Sequence, residues 1–390
     1  MLNRFVIAAQ FVLAVNLLAS SPALAEPGVD KTEIVFGQAA ALEGPAAALG
    51  QGMRLGLLAA FAEANRLGGV HQRRLKLISL DDGYEPDKSI EVTKRLIDKD
   101  KVFALIGTVG TPTSLATQPI AAAAGVPFIG AFTGAEFLRN PFKPNVVNVR
   151  ASYFEETETI VDHLVKDRHI GRIAILYQDD AFGRAGLTGV QRALARRNMN
   201  LVAEATFERN TTAVKLALLT IRQAKPEAVI LIGPYKPCAA FIRLARQLQM
   251  NTFFATISFV GSDRLAKELG AEGAEVVVTQ VVPFPEDASM PFVARYHHAL
   301  AAFDPRAAPG FVSLEGYLVG RLVVAALEKI PGEPTRRALL DTIFNNSFDF
   351  LAMRLTYRPN DNRGSDAVFL TMIQSDGKFK PIKTFAEVPK

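Results

Sequence analysis

The chain has 390 residues, enough for two domains of ordinary size. Hydrophobic residues make up 49% and charged residues 21%, which excludes a disordered chain, because there is ample apolar surface to bury. Lys plus Arg is 44 and Asp plus Glu is 39, and a net charge of +5 over this length is too thin for a nucleic-acid-binding surface.

The first element is a leader. Arg4 is the only charge in residues 1–25, an apolar run follows from Phe5 to Leu18, and Ala23-Leu24-Ala25 makes an A-x-A cleavage site before Glu26. The run is short and is broken by Gln10 and Asn16, which argues against a membrane-spanning anchor. The expected product is a mature chain that starts at Glu26 in the periplasm, with a charge of about +4 because only Arg4 is lost.

After the leader, strand and helix patterns alternate. Glu33–Ala41 reads as a strand and Gly50–Leu67 as a helix. Leu75–Leu80 is a strand, and Pro86–Asp98 is a helix with Pro at its start. Val102–Gly107, Thr113–Ala124 and Pro127–Phe132 continue as strand, helix and strand, and Val146–Arg150 ends this first run. A second alternating set begins with the helix Phe154–Lys166. It runs through strands at Arg172–Tyr177, Leu201–Phe207, Ala228–Gly233, Phe253–Ser258 and Val276–Val282, with helices at Phe182–Arg197, Ala213–Ala224 and Ala239–Gln249 between them. Short apolar strand runs between helices are the signature of parallel sheets covered on both faces. Beyond Pro283-Phe284-Pro285 the pattern changes to three helices, Pro291–Phe303, Phe311–Lys329 and Pro334–Asn345. Met353–Tyr357 and Val368–Gln374 then alternate like strands around the turn residues Asn360–Gly364, which predicts a hairpin.

Much chemistry is missing. No phosphate or dinucleotide cradle, nucleophile elbow or zinc helix motif is present, and no cofactor is implied. The single cysteine, Cys238, excludes an intramolecular disulfide and any thiolate cluster, and reads as a buried inert thiol. His297 and His298 point to different faces of a helix and make a poor metal site. Asp81-Asp82 and Asp179-Asp180 sit in strand-end turns, where Asp is favoured for turn geometry alone.

The candidate binding chemistry lies in loops that follow strands, where open α/β sheets take their ligands. Gly107-Thr108-Val109-Gly110-Thr111-Pro112-Thr113-Ser114 leads into a helix, and its hydroxyls and backbone N–H groups suit a carboxylate; a plain helix cap is the other reading. Gly130-Ala131-Phe132-Thr133-Gly134 ends the next strand with the same two readings. Tyr153, after Arg150, and Tyr235, in Gly233-Pro234-Tyr235-Lys236-Pro237, are placed to face a cleft, or to be ordinary buried or surface tyrosines.

These segments also carry a resemblance. IVFGQAAALEGPAAALGQGMRLGLLAAFAEANRLGGV, LDDGYEPDKSIEVTKRLI, ALIGTVGTPTSLATQPIAAAAGVPFIGAFTG and RIAILYQDDAFGRAGLTGV, in that order, resemble the periplasmic leucine/isoleucine/valine-binding proteins, the solute-binding components of ABC importers. The resemblance implies an α/β chain of the type I periplasmic-binding fold: two Rossmann-like lobes with parallel sheets, joined by three hinge crossings near Arg150, Val282 and Met353. Lobe 1 would comprise 31–149 with 283–353, and lobe 2 150–282 with 354–390. It implies a small-molecule ligand in the cleft, a branched-chain amino acid or a related small carboxylate. The implied partners are a membrane permease and ATPase, with no nucleic acid.

The implied ligand contacts are Thr111, Phe132 and Thr133 around the carboxylate, with Tyr235, Tyr153 and Tyr317 at further cleft positions. Two positions depart from the family. Ser258 stands where amino-acid binders often carry a Glu for the ligand ammonium, and Leu49 stands in place of a bulky aromatic. Glu315 or Asp263 is a candidate to take over the missing acid, but the sequence places neither in the cleft. A 2-oxo acid, an aromatic acid or an amide therefore stays open beside an amino acid, as does a sensing role with a membrane signalling partner. An enzyme on this scaffold lacks any nucleophile–base signature.

Overall fold

The computed structural model describes residues 26–351 and 353–389; the leader expected over 1–25 lies outside the described residues. The chain begins with β1 (Glu33–Ala40), α1 (Ala47–Arg66), β2 (Arg74–Asp81), α2 (Pro86–Asp98), β3 (Ala104–Ile106), α3 (Thr111–Ala123), β4 (Phe128–Ile129) and β5 (Val146–Val147). All four pairings in this sheet are parallel, in the order β2-β1-β3-β4-β5.

The next set is α4 (Tyr153–Arg168), β6 (Ile173–Gln178), α5 (Ala181–Ala195), β7 (Ala203–Phe207), α6 (Lys215–Gln223), β8 (Ala228–Ile232), α7 (Tyr235–Gln247), β9 (Phe253–Thr256), α8 (Ser262–Leu269) and β10 (Val277–Gln280). Its strands run β10-β9-β8-β6-β7, all parallel, so the second sheet repeats the winding order of the first. Helices cover both faces, which is why β8 can be five buried aliphatic-rich residues in a row. In each sheet the winding reverses between the first strand and the third. Their C-terminal ends open the crevice where doubly wound sheets bind ligands.

The remaining elements are α9 (Pro291–Phe303), α10 (Phe311–Glu328), α11 (Arg336–Phe344), β11 (Ser347–Phe350), β12 (Met353–Thr356), β13 (Phe369–Ile373) and β14 (Phe379–Ile382). Helices α9 and α10 return to the first lobe and pack on α1. The hairpin expected between 353–357 and 368–374 does not form. β12 pairs antiparallel with β11, while β13 pairs with β10 and β14 on the edge of the second sheet. Alternation marks a residue as strand but not its partner, and the Asn360–Gly364 turn carries the chain from one lobe to the other. The chain thus passes between the lobes after β5, after β10 and after β12.

Local signals explain the helix starts. Pro86 opens α2. Ser152 and Glu155 form a capping box on α4, and Asp180 caps α5 through the N–H groups of Phe182 and Gly183. Helix α7 starts at Tyr235, four residues before the predicted Ala239, because Lys236-Pro237 lies in its first turn, where proline is tolerated. Among the described residues no helix is long and apolar enough to cross a membrane.

Candidate functional site

The loops after β3 and β4 keep pairing beyond their strands. Val109 bridges Phe132 in parallel; Phe132 N–H donates to Thr108 O at 2.7 Å and Gly110 N–H to Phe132 O at 3.2 Å. That pairing sets Thr111, the first residue of α3, beside Thr133. Their hydroxyls lie 2.7 Å apart, both buried. Thr133 Oγ1 also donates to Tyr153 Oη at 3.2 Å and accepts Ala135 N–H at 3.2 Å. Gly110 makes the turn possible. It has φ +106°, and a side chain there would put its Cβ 2.2 Å from Tyr84 Cε2. The result is a cluster of three hydroxyls at a helix N-terminus, donors and a positive dipole end suited to an anionic group.

Aromatic rings from both lobes close over this cluster. Phe259, in the 3-10 turn after β9, sits 4.4 Å from Phe182 and 5.3 Å from Phe132 between ring centroids, with Tyr84 and Tyr153 beside it. Other contacts tie the lobes across the crevice. Gln178 donates to Tyr84 Oη at 3.3 Å, Ala48 N–H donates to Tyr235 Oη at 3.4 Å, and Arg209 pairs with Glu85 at 2.8 Å. A cavity of about 270 Å³ at the mouth is lined by Leu49, Gly52 and Val312 of the first lobe and Gly261, Asp263 and Arg264 of the second.

Buried charge lies directly behind. Arg150, in the first crossing, holds its guanidinium 4.8 Å from the Phe132 ring centroid. It donates to Ser258 Oγ, and lies 3.4 Å from Glu156 Oε1 and 3.4 Å from Glu315 Oε1. Ser258 in turn donates its N–H to Glu156 Oε2 at 2.7 Å.

The structure therefore brings Thr111, Phe132, Thr133, Tyr153 and Ser258 into one contiguous group, with Tyr235 further out where the lobes meet. Tyr317 is not brought there. It is buried between α10 and α1, donates to Glu63 Oε2 at 2.8 Å and packs on Phe292 and Tyr296. Glu156, Phe182 and Phe259 also belong to this group and are not among the sequence-predicted site residues. Glu156 was open to discovery, because it falls on the apolar face of α4 with Ile160, Val161 and Leu164, where an acid without a partner would be costly. Tyr84 and Tyr153 are driven to titrate higher than a free tyrosine, chiefly by burial.

The other sequence candidates have plain roles. Cys238 is buried, its Sγ donates to Gly233 O at 3.3 Å, and burial pushes the thiol well up. Asp81 accepts the N–H groups of Leu42 and Glu43, and Asp82 those of Tyr84 and the Ser89 hydroxyl. His297 meets Pro285 O. Among the described residues no group of three His, Cys, Asp or Glu side chains is arranged to hold a metal ion.

Comparison with known proteins agrees with this architecture. The structure of a possible leucine/isoleucine/valine-binding protein from Rhodopirellula baltica SH 1 is similar with a TM-score of 0.88 and 40% identity, covering 94% of this chain and 100% of that one. The Leu/Ile/Val-binding protein homolog 7 of Brucella suis biovar 1 is 24% identical over 242 residues, 60% of this chain and 60% of that protein's length. The Leu/Ile/Val-binding protein BraC3 of Rhizobium johnstonii is 26% identical over 81% of this chain and 84% of that protein. Residues 33–378 match the family described as periplasmic binding protein, and with two α/β lobes of repeated winding around a shared crevice this chain belongs to that family of solute-binding proteins.

Proposed function

We propose that this protein is the solute-binding component of an ABC importer and that it takes a small carboxylate, a branched-chain amino acid or a close relative, between its lobes. Residues 1–25 would direct it to the periplasm and be removed before Glu26. The observation that carries this reading is the buried pair of hydroxyls, Thr111 and Thr133, 2.7 Å apart at the C-terminal ends of neighbouring strands, with Tyr153 as a third member. In the bound state each hydroxyl turns its proton toward a carboxylate oxygen, and the N-terminus of α3 adds its dipole. Phe132 and Phe259 exclude water from the charge, which strengthens those bonds. The names of the Rhodopirellula, Brucella and Rhizobium relatives support a branched aliphatic side chain, and the apolar lining at Leu49 and Val312 suits one.

A thermal-shift screen of the mature protein against amino acids, 2-oxo acids and aromatic acids identifies the solute. A hydrogen bond to a charged group contributes about 1.5–3 kcal/mol. Thr111→Val and Thr133→Val should each weaken binding by roughly ten- to a hundredfold in titration calorimetry while the protein stays folded. Unchanged affinity in both variants would place the carboxylate elsewhere.

A further inference from the structure

Arg150, Glu156 and Glu315 meet where the lobes join, and none is more than 2% exposed. They come from three parts of the chain: the first crossing, the first turn of α4 and the second turn of α10. Glu156 is saturated. Its two oxygens accept Ser258 N–H at 2.7 Å, Ser258 Oγ–H at 3.0 Å, Thr279 Oγ1–H at 2.6 Å and Arg150 Nη2–H at 3.4 Å. Glu315 is not saturated. Its Oε1 faces Arg150 Nη1 at 3.4 Å without hydrogen-bond alignment, and Glu315 Oε1, Arg150 Nη1 and Arg150 Nε are all left without a hydrogen-bond partner.

Arg150 is shared between two carboxylates, and Arg139 behind it spends its donors on the backbone oxygens of Ala135 and Arg150, so Glu315 is buried without a hydrogen-bonded counter-charge, an expensive arrangement. Burial pushes the Glu315 carboxyl up, Arg150 and Arg139 pull it down and Glu156 pushes it up, with the outcome at about 7. Arg321, the next charged group on α10, and its partners on α1 and α9 do not face this cluster. Glu63, Arg295 and Arg321 pair with one another around Tyr317, two residues on and so roughly 200° round the helix. Asp263 is buried too, but it is committed: its Oδ2 accepts Phe311 N–H at 2.9 Å at the start of α10.

Glu315 is also held on the ligand side of its helix. One turn on, Val319 fills the space beside Gly130 at the end of β4, where an added Cβ would meet its Cγ1 at 2.4 Å. The same loop carries Phe132, under the Arg150 guanidinium, and Thr133. Resting on the reading that the ligand carboxylate lies at Thr111 and Thr133, we propose that Glu315 reads the charge at the other end of the ligand. It accepts a cationic nitrogen as its counter-charge, and an acid lacking that nitrogen enters only as Glu315 takes up a proton from solvent. The selecting acid thus lies on α10 of the first lobe, while the second-lobe position at Ser258 serves to hold Arg150 and Glu156 in place.

The test uses mature wild-type protein and Glu315→Gln, titrated with leucine, isoleucine, valine and phenylalanine and with the 2-oxo acid of each, in two buffers of different ionisation enthalpy. At about pH 8 the wild type should prefer the amine-bearing member of a pair by at least about tenfold, and bind the 2-oxo acid with uptake of up to about one proton. Glu315→Gln should lose roughly a hundredfold for the amino acid and bind the 2-oxo acid at least as well as wild type, with no proton uptake. An amine preference that survives in Glu315→Gln, or 2-oxo acid binding without proton uptake in the wild type, overturns the proposal. Thr111→Val and Thr133→Val in the same titrations separate the two readings. If they bind normally while Glu315→Gln reverses the preference, the carboxylate site is wrong and the charge selector stands.

A ligand-free measurement decides the matter if none of these compounds binds. The folded Glu315 carboxyl titrates at about 7 against 4.5 for the free group, so the native state holds a proton that the unfolded state has released. Wild-type stability should therefore fall as pH rises through that window, and Glu315→Gln should flatten the fall and melt a few degrees higher above about pH 7. A Glu315→Gln protein that is less stable than wild type at about pH 8 makes Glu315 a structural partner of Arg150 and overturns the proposal.

Discussion

Thr133 is positioned by what surrounds it: a strand end behind, the Thr111 hydroxyl at 2.7 Å, the Tyr153 hydroxyl at 3.2 Å and the Ala135 N–H from its own loop. Its type and its place after an apolar run are visible in the sequence, because a hydroxyl at a strand end either caps a helix or meets a ligand. The charge cluster is less visible. Arg150 and Glu156 are neighbours in the chain, but Ser258 and Glu315 come from two distant segments, and only folding shows that all four share one point. Tyr317 shows the converse, since an aromatic on a largely apolar helix gives no sign of which neighbour it faces. Cys238 gives the prediction at this scale. Its thiol is fully buried and pushed up by that burial, so little thiolate is present and no reagent reaches it. Iodoacetamide at neutral pH should label it only at the rate of unfolding, with full labelling in denaturant. Rapid labelling of the native protein would show that the α7 region opens far more readily than its packing implies.

At the level of elements, the strands that proved easiest to read are those buried on both faces, such as β6 and β8, because continuous aliphatic runs have no other home. Strand partners were harder. β12 and β13 follow one another in sequence yet belong to different sheets, since the turn residues between them dictate a hairpin only when the flanking strands have no better neighbours. β11 and β14, the edge partners, are four residues each and carry too little pattern to stand out. The α1–α10 seam is the main helix contact of the first lobe, and it depends on Gly56. A Cβ there would lie 1.9 Å from Ser313 O and 2.5 Å from Tyr317 N. Gly56→Val should force the helices apart and cost about 1–3 kcal/mol or more, read as a lower midpoint in urea unfolding. A midpoint equal to wild type would mean that the seam yields without loss. Because α10 carries Glu315, the same variant should also bind its solute more weakly.

For the molecule as a whole, the chain crosses between the lobes three times, and the contacts across the crevice describe a closed arrangement. Several of these contacts are modest. Arg209 and Glu85 are partly exposed, so their ion pair is screened and adds little by itself. The rings around Phe259 are buried and contribute more. Solute shifts the balance toward closure only by binding the closed form better than the open one. Small-angle scattering at saturating solute should therefore give a smaller radius of gyration than the free protein, and identical curves would point to a crevice that is closed throughout. The same connectivity bears on how the chain is made. Helix α1 meets its cover late, since Tyr317 and Glu63 are 254 residues apart in sequence. A nascent chain emerging from the ribosome has both strands of its first βα unit long before it has the helix that seals them. The first lobe cannot complete its core until α10 has been synthesised, and contacts of such long range form slowly. Until then the face of α1 that α10 covers has no partner from the chain already made.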